Sequence, residues 1–219
     1  MPVIYAVRPQ PKVPYYYRAR PNQDFFLDEF LTPLAKEVQK IVSAVSGETL
    51  EAVGPRLFEV NLGVRYVLDR EVHGVEEFFQ YPFETLALKT GDCEDQAYLL
   101  ASMLTAAGVP NVLVVFGTAE INAQRFGHAW VEAQGCFIES TDTRWRPLDS
   151  RPDFYFPEIA VAWGYSFTWG VPIAWRFNSE EVTRELPKPS PEDIDRLRKR
   201  LEEWEAGGGQ PVGAYIRWL

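Results

Sequence analysis

The clearest hydrophobic pattern of the chain is an apolar stripe at helical spacing between residues 93 and 107. Four residues share this face: Ala97, Leu100, Leu104 and Ala107. Asp92 stands where an N-cap residue is expected, Asp95 follows as in a capping box, and Gly108 ends the pattern. The stripe therefore predicts a helix over 93–107, with Cys93 at the head of its apolar face.

Apolar runs after this helix predict three strands. They cover residues 112–116, 128–133 and 136–141. The first run is continuously apolar, as is typical of a buried strand. The other two flank Gln134-Gly135, a pair that favours a two-residue hairpin turn.

Weaker patterns divide the rest of the chain. They predict an extended Pro- and Tyr-rich arm over 1–22, a helix over 24–45 interrupted at Thr32-Pro33, a helix over 48–69 that Gly54-Pro55 can split, and a loop over 70–91. Residues 145–178 are rich in aromatic residues and proline and fit no single pattern. A charged helix is predicted over 191–205.

Composition and charge narrow the function classes. Hydrophobic residues make up 46% of the 219-residue chain and charged residues 24%, which is typical of a soluble globular protein. The net charge of −9 argues against nucleic-acid binding, because phosphate binding needs a basic face. The sequence shows no secretory signal, no membrane-spanning stretch and no disulfide framework. We therefore expect a cytoplasmic protein without a membrane partner.

Cys93 and His128 carry the strongest chemical signal. A helix N-terminus favours a thiolate through its free N–H groups and the positive end of the helix dipole, and Cys93 is predicted to lie at one. If Gln134-Gly135 forms the turn, one face of the hairpin carries His128, Trp130, Glu139 and Thr141. Glu139 is then the diagonal neighbour of His128 and can orient its ring. A thiol, an imidazole and a carboxylate in this order indicate a cysteine-nucleophile site for amide cleavage or acyl transfer.

Other polar residues near this set have more ordinary interpretations. Asp142 takes the place of Glu139 as the third member if the hairpin loop is longer or bulged. His73 lies in a polar stretch and is interpreted as a solvated surface residue, and Cys136 as a packing residue. Gln80, upstream of the first cysteine, can donate to an oxyanion, although a structural bond to the backbone is favoured.

Carboxylates surround the cysteine in sequence. Asp92, Glu94 and Asp95 are oxygen ligands of the kind that bind calcium. They also oppose thiolate formation, because nearby negative charge raises the pKa of a thiol. Helix capping accounts for two of the three acids, so the sequence predicts neither a metal nor a cofactor.

Three motifs in this order resemble the transglutaminase-like superfamily, which has a papain-like fold. They are Thr90-Gly91-Asp92-Cys93-Glu94-Asp95-Gln96-Ala97, Gly127-His128-Ala129-Trp130-Val131-Glu132 and Ile138-Glu139-Ser140-Thr141. The resemblance implies a triad of Cys93, His128 and Glu139, although the family usually has aspartate at the third position. Some bacterial cysteine peptidases of this superfamily bind calcium through residues resembling Asp92 and Glu94.

The resemblance also implies a fold and an activity. We expect an α+β, papain-like core in which N-terminal helices pack on an antiparallel β-sheet. The expected parts are an arm at 1–22, a catalytic domain at 23–178, and a C-terminal helix and tail at 179–219 that packs on the core. The expected activity is cysteine-dependent amide hydrolysis of a protein or peptide through a thioester acyl-enzyme. Transglutamination with the same triad and a non-catalytic binding module are the alternatives, and the substrate and oligomeric state are left open.

Overall fold

The computed structural model describes residues 27–163, 165–168 and 171–176, together with five single positions between residues 195 and 206. The arm predicted at 1–22 and nearly all of the C-terminal segment at 179–219 lie outside the described residues. Within the described ranges, no helix combines the length and the apolar character needed to cross a membrane.

Three short helices and one of 13 residues precede a buried helix of 14 residues. After a 3₁₀ turn at Leu27–Phe30, the helices are α1 (Lys36–Val42), α2 (Leu50–Leu62), α3 (Asp69–Val72), α4 (Pro82–Leu88) and α5 (Cys93–Ala106). The helix predicted over 93–107 is confirmed as α5, with Asp92 at its N-cap position. The apolar stripe and the glycine stop were therefore sufficient to locate this element.

The predicted extents of the first two helices are wrong. The interruption predicted at Thr32-Pro33 is confirmed, since the break lies between the 3₁₀ turn and α1, but α1 begins only at Lys36 and ends at Val42. The Thr32 N–H in this break donates to the Ser102 hydroxyl at 2.9 Å. The helix predicted over 48–69 ends at Leu62. Gly54-Pro55 lies inside α2 without splitting it, and the missing side chain of the glycine makes room for a tryptophan ring packed against the helix.

The loop predicted over 70–91 is also wrong, because it contains α4 and most of α3. Pro82 occupies the first turn of α4, where its missing N–H costs nothing. Glu84 completes the start by accepting the Tyr81 N–H at 2.7 Å. The signal for this helix was present in the sequence as a proline followed by an acid in the first turn.

The strands form one large antiparallel sheet and one small parallel ladder. Their bounds are β1 (Arg65–Tyr66), β2 (Thr90–Gly91), β3 (Leu113–Ile121), β4 (Gln124–Ala133), β5 (Cys136–Ile138), β6 (Tyr155–Ala162), β7 (Tyr165–Thr168) and β8 (Val171–Arg176). The large sheet has the order β5-β4-β3-β6-β7-β8, and β1 pairs with β2. The predicted α+β architecture, with helices packed on an antiparallel sheet, is confirmed.

The β4–β5 hairpin has the predicted register. Ala133 pairs with Cys136 and Val131 with Ile138. Gln134 and Gly135 both have positive φ, at 51° and 84°, as a type I′ turn requires. Because β5 ends at Ile138, the chain is free to bend at the next residue and to turn Glu139 towards β4.

The two faces of the large sheet pack differently. One face packs against α5, which in turn packs on α2, and Ala129, Val131 and Cys136 contribute to this core. The other face carries an aromatic cluster that includes Trp130, Phe137 and Tyr155. Cys136 therefore packs against the helix side, as predicted, and alternation along β4 sends Trp130 to the opposite side.

Gly117 is the position of the sheet with least room for a side chain. It lies at a register irregularity between β3 and β6, and a Cβ there would collide with the Phe156 carbonyl and stand 2.9 Å from the Pro157 Cα. We expect Gly117→Ala to lower the free energy of unfolding by about 1–3 kcal/mol, because backbone must shift. Gly127→Ala on β4 is the matched control, since nothing lies within 4 Å of its added Cβ. Urea denaturation midpoints test the pair, and equal losses in both variants would contradict the packing account.

Candidate active site

Cys93 is the first residue of α5. The helix follows directly after β2, which pairs with β1 in the small parallel ladder. The ladder pairs Tyr66 with Gly91. Gly91 approaches the first turn so closely that an added Cβ would lie 2.6 Å from the Asp95 Cβ. The pairing and this close approach fix the backbone entering α5, and with it the place of the thiol.

The Cys93 thiol is half-buried and faces carboxylates. It donates a hydrogen bond to Glu94 Oε2 at 3.3 Å, and the backbone N–H of Ala129 faces its sulfur. Burial raises the pKa of the Cys93 thiol, Glu94 and Asp92 raise it further, and the Ala129 N–H acts in the opposite direction. The described arrangement is therefore that of a protonated thiol.

His128 is held by Glu139 beside the hairpin. His128 Nε2 lies 2.9 Å from Glu139 Oε2, and the histidine side chain is 10% exposed. The same carboxylate accepts the Thr141 N–H at 3.0 Å, the Thr141 hydroxyl at 2.8 Å and the Tyr155 hydroxyl at 2.7 Å. Three further donors thus hold the longer glutamate arm in one orientation against the imidazole.

The charge of Glu139 is stabilised although the group is buried. Burial alone opposes ionisation, but His128, Thr141 and Tyr155 outweigh it, and the pKa of Glu139 is lowered. Asp142 accepts the Thr143 N–H at 2.6 Å and pairs with Arg146 at 3.3 Å. Of the two acids left open by the sequence, the structure places Glu139 against the imidazole and turns Asp142 to an arginine.

The Cys93 sulfur lies beside the backbone of the residue that follows His128. The Ala129 N–H that contacts the Cys93 sulfur belongs to the peptide bond that follows His128. Among the hydrogen bonds of the described residues, the thiol donates to Glu94 and the ring bonds to Glu139. The structure therefore pairs the imidazole with Glu139 and directs the thiol proton to a different carboxylate, that of Glu94.

Gln80 and His73 have structural roles. The Gln80 side-chain amide donates to the Thr90 carbonyl at 3.1 Å and to Asp95, while its backbone N–H donates to Asp95 at 2.7 Å. Both amide hydrogens are thus engaged away from an oxyanion. His73 stacks on Phe78 with ring centroids 3.8 Å apart, so its interpretation as a solvated residue is wrong.

The acids around Cys93 do not serve as helix caps. The Asp92 side chain makes no capping hydrogen bond to α5, and Asp95 is held by Gln80. The sequence-based explanation of these carboxylates by capping is therefore wrong. A buried oxygen of Asp92 and one of Glu94 have no hydrogen-bond partner within the part of the chain that the structure describes.

A second segment brings further carboxylates to the same place. Oxygen atoms of Asp69, Asp92 and Asp95 lie within 4.8 Å of one another, and so do those of Asp69, Glu77 and Glu94. Burial raises the pKa of Asp69 to about 11, with Glu94 and Asp95 adding to the effect. Crowded hard oxygen donors with unpartnered lone pairs fit a divalent cation such as calcium.

The chain is similar to known proteins in sequence and in fold. A sequence model described as the transglutaminase-like superfamily matches residues 39–150, which is just over half of the chain. The chain belongs to the transglutaminase-like superfamily. None of the curated proteins compared with this transglutaminase-like chain matches it.

One solved structure with a TM-score of 0.50 supports the fold. An EGTA-treated LapG from Legionella pneumophila is similar with a TM-score of 0.50 and 15% identity, over 80% of this chain and 95% of that one. A calcium-bound LapG from the same organism is 21% identical with a TM-score of 0.40, over 76% of this chain and 98% of that one. At these identities the similarity concerns the fold alone. Any conclusion about the chemistry must come from the residues of this chain.

Sequence reasoning missed three residues of the site. Tyr66 reaches the Cys93 sulfur from β1, Tyr155 reaches Glu139 from β6, and Asp69 joins the acid cluster from α3. All three come from segments that gave weak or misleading patterns. They are distant in sequence from the motif residues and reach them only in the folded chain, so no local sequence pattern could predict them.

Proposed function

We propose that this protein is a cysteine-dependent amide hydrolase that cleaves proteins or peptides. The carrying observation is the buried His128–Glu139 pair next to a cysteine at the N-terminus of α5. Membership of the transglutaminase-like superfamily supports it, since the chain keeps cysteine, histidine and acid in that order. Structural or binding roles alone do not require an ionised carboxylate buried against an imidazole.

The proposed reaction begins at the Cys93 sulfur. His128 accepts the thiol proton, and because Nε2 is bonded to Glu139, Nδ1 is the ring nitrogen assigned to this transfer. The sulfur then attacks the substrate carbonyl carbon, and the π electrons move to the oxygen. Collapse of this intermediate expels the amine, which takes the proton from His128, and leaves a thioester on Cys93. Water, activated by the same imidazole, releases the acid product.

Glu139 supports this cycle through the imidazole. Its lowered pKa keeps it ionised at neutral pH, so that it can stabilise the imidazolium formed after proton transfer. Tyr155 and Thr141 fix the carboxylate and compensate for the longer arm of glutamate compared with the aspartate usual in the family. The ring is thereby kept in one orientation, which is the function of the acid in a triad.

Asp92, Glu94, Asp95 and Asp69 fit a divalent cation, which we assign to calcium. When bound there, the cation supplies positive charge that offsets the carboxylates responsible for the raised pKa of the Cys93 thiol. The residues themselves act in two ways. Glu94, which now accepts the thiol proton, would be among the residues that hold the cation, and the thiol would then be available to the imidazole.

Calcium is expected to stabilise the protein measurably. At about 100 times its dissociation constant, a ligand specific for the folded state adds about 2.7 kcal/mol, which corresponds to a rise in Tm of roughly 5–10 °C. Asp92→Asn is expected to remove most of this rise, whereas Glu120→Gln keeps it, because Glu120 is an exposed acid paired with Arg125. Differential scanning fluorimetry in calcium chloride and in EGTA measures the shifts. The same rise in all three proteins, or none in the wild type, would contradict the site.

Incubation with denatured casein in calcium chloride tests the proposed activity. New peptide termini, identified by mass spectrometry and absent with Cys93→Ala, are the expected result. A fluorescent primary amine added in parallel separates hydrolysis from transglutamination, since acyl transfer attaches the amine to glutamine side chains without cutting the chain. Casein that stays intact and unlabelled with a folded, calcium-loaded protein would favour the non-catalytic binding module.

A further inference from the structure

The proposed reaction needs a hydrogen-bond donor for the oxyanion. Carbonyl attack places negative charge on the substrate oxygen, and cysteine hydrolases need a hydrogen-bond donor there. Gln80, the donor considered from the sequence, has both amide hydrogens engaged by the Thr90 carbonyl and Asp95. The donor in this chain must therefore be a different group near the Cys93 sulfur.

Tyr66 is such a group. Its phenol lies against the Cys93 side chain, and the residue is half-buried. Its position is set by backbone pairing: the Arg65 N–H donates to the Lys89 carbonyl at 2.9 Å and the Val67 N–H to the Gly91 carbonyl at 3.3 Å. Tyr66 is therefore held over the chain that enters α5, independently of its own side-chain contact.

Two donors converge on the sulfur from different elements. The Tyr66 hydroxyl comes from β1 and the Ala129 N–H from β4. When the sulfur bonds to a carbonyl carbon, the oxyanion is attached to that carbon. It therefore lies within reach of donors that surround the sulfur. The phenol stays protonated, because burial, followed by Cys93, Asp92 and Glu94, raises the pKa of Tyr66. It can therefore donate throughout the reaction.

We propose that Tyr66 is a further catalytic residue, whose hydroxyl donates a hydrogen bond to the oxyanion formed when Cys93 attacks a carbonyl. The inference rests on the proposed function of the site. In this step the S–C bond forms while the C=O π pair moves to oxygen, where the phenol O–H stabilises the charge. The pair then reforms the C=O bond as the leaving group departs, and the phenol keeps its proton.

Two reagents separate this role from an effect on the thiol alone. p-Nitrophenyl acetate acylates a thiol through a tetrahedral oxyanion and releases p-nitrophenolate. Iodoacetamide alkylates the same thiol by displacement of iodide, without an oxyanion. The ratio of the acylation rate to the alkylation rate at Cys93 therefore reports oxyanion stabilisation and cancels changes in thiolate content. Mass spectrometry follows both products, with Cys136 as an internal reference.

Tyr66→Phe, measured in calcium chloride, is expected to lower this ratio at least about tenfold. Tyr98→Phe is the matched control, because it deletes a buried hydroxyl of α5 that bonds the Leu27 carbonyl at 2.7 Å, and it should leave the ratio unchanged. A Tyr66→Phe protein in which both rates fall equally, or neither falls, overturns the inference while the proposed function stands. A wild-type Cys93 no faster than Cys136 towards either reagent would overturn the proposed function and the inference with it.

Discussion

Glu139→Gln is expected to lower casein hydrolysis by about 10³–10⁴-fold, the range associated with loss of the triad carboxylate. The amide keeps the size of the side chain but carries no charge to stabilise an imidazolium. Its NH₂ group would also oppose one of the donors that now bond the carboxylate, from His128, Thr141 and Tyr155. Both effects act through the orientation and charge of the imidazole, so kcat is expected to fall much more than KM changes.

Asp142→Asn is the control for this prediction. Asp142 is the acid that the sequence left as an alternative, and the structure pairs it with Arg146. Its substitution is expected to change hydrolysis by less than about tenfold, since Asp142 bonds Thr143 and Arg146 rather than the imidazole and so does not orient the triad base. An Asp142→Asn enzyme as impaired as Glu139→Gln, or more, would show that the acid has been assigned to the wrong residue.

The same carboxylate gives a pH dependence of stability with a defined sign. The pKa of Glu139 is lowered in the folded state, so the unfolded chain takes up its proton first on acidification. Its contribution to stability is therefore present above the ordinary glutamate pKa and is lost as pH falls through the lower, folded value. Urea midpoints of Glu139→Gln should accordingly fall less steeply with acid than those of the wild type.

His128→Ala is the second substitution with a large expected effect. Without the imidazole, nothing among the described neighbours of Cys93 can accept the thiol proton at neutral pH except carboxylates, which raise the pKa of this thiol. We expect casein hydrolysis to fall by about 10³–10⁴-fold or more, as for other losses of a triad base. Product termini counted by mass spectrometry over a time course measure the loss.

The other histidine provides the matched control. His73→Ala removes a ring that stacks on Phe78 and to which the proposed mechanism gives no part, and it is expected to leave hydrolysis within a few fold of the wild type after correction for folded protein. Added imidazole should partly restore the His128→Ala enzyme, because the cavity lies beside the retained Glu139. Unchanged hydrolysis in His128→Ala would remove the base from the proposed mechanism.

Local signals explain why part of this site was visible in the sequence. The stripe of α5 and its glycine stop located Cys93 at a helix start, as the structure confirms. The Gln134-Gly135 turn fixed the hairpin register, and from it followed the pairing of Ala133 with Cys136 and the proximity of Glu139 to His128. These elements depend on neighbours in the chain, so their sequence patterns carry the information.

Other parts of the site depend on contacts between distant segments. Tyr155 reaches Glu139 across 16 residues, from a stretch whose aromatic residues and prolines gave no strand pattern. Gln80 reaches Asp95 across 15 residues and takes it out of the capping role expected from its position. A local rule assigns such a side chain to its nearest backbone partner, whereas the fold supplied a partner from another element.

The rate of iodoacetamide alkylation of Cys93 as a function of pH tests the central claim most directly. It is measured by mass spectrometry in calcium chloride, with Cys136 as internal reference and His128→Ala alongside. The account predicts that Cys93 reacts faster than Cys136 near neutral pH, that His128→Ala abolishes this advantage, and that EGTA shifts the reaction of Cys93 to higher pH, as its raised pKa without a cation requires. A Cys93 that reacts no faster than Cys136 in calcium and does not respond to His128→Ala would contradict it.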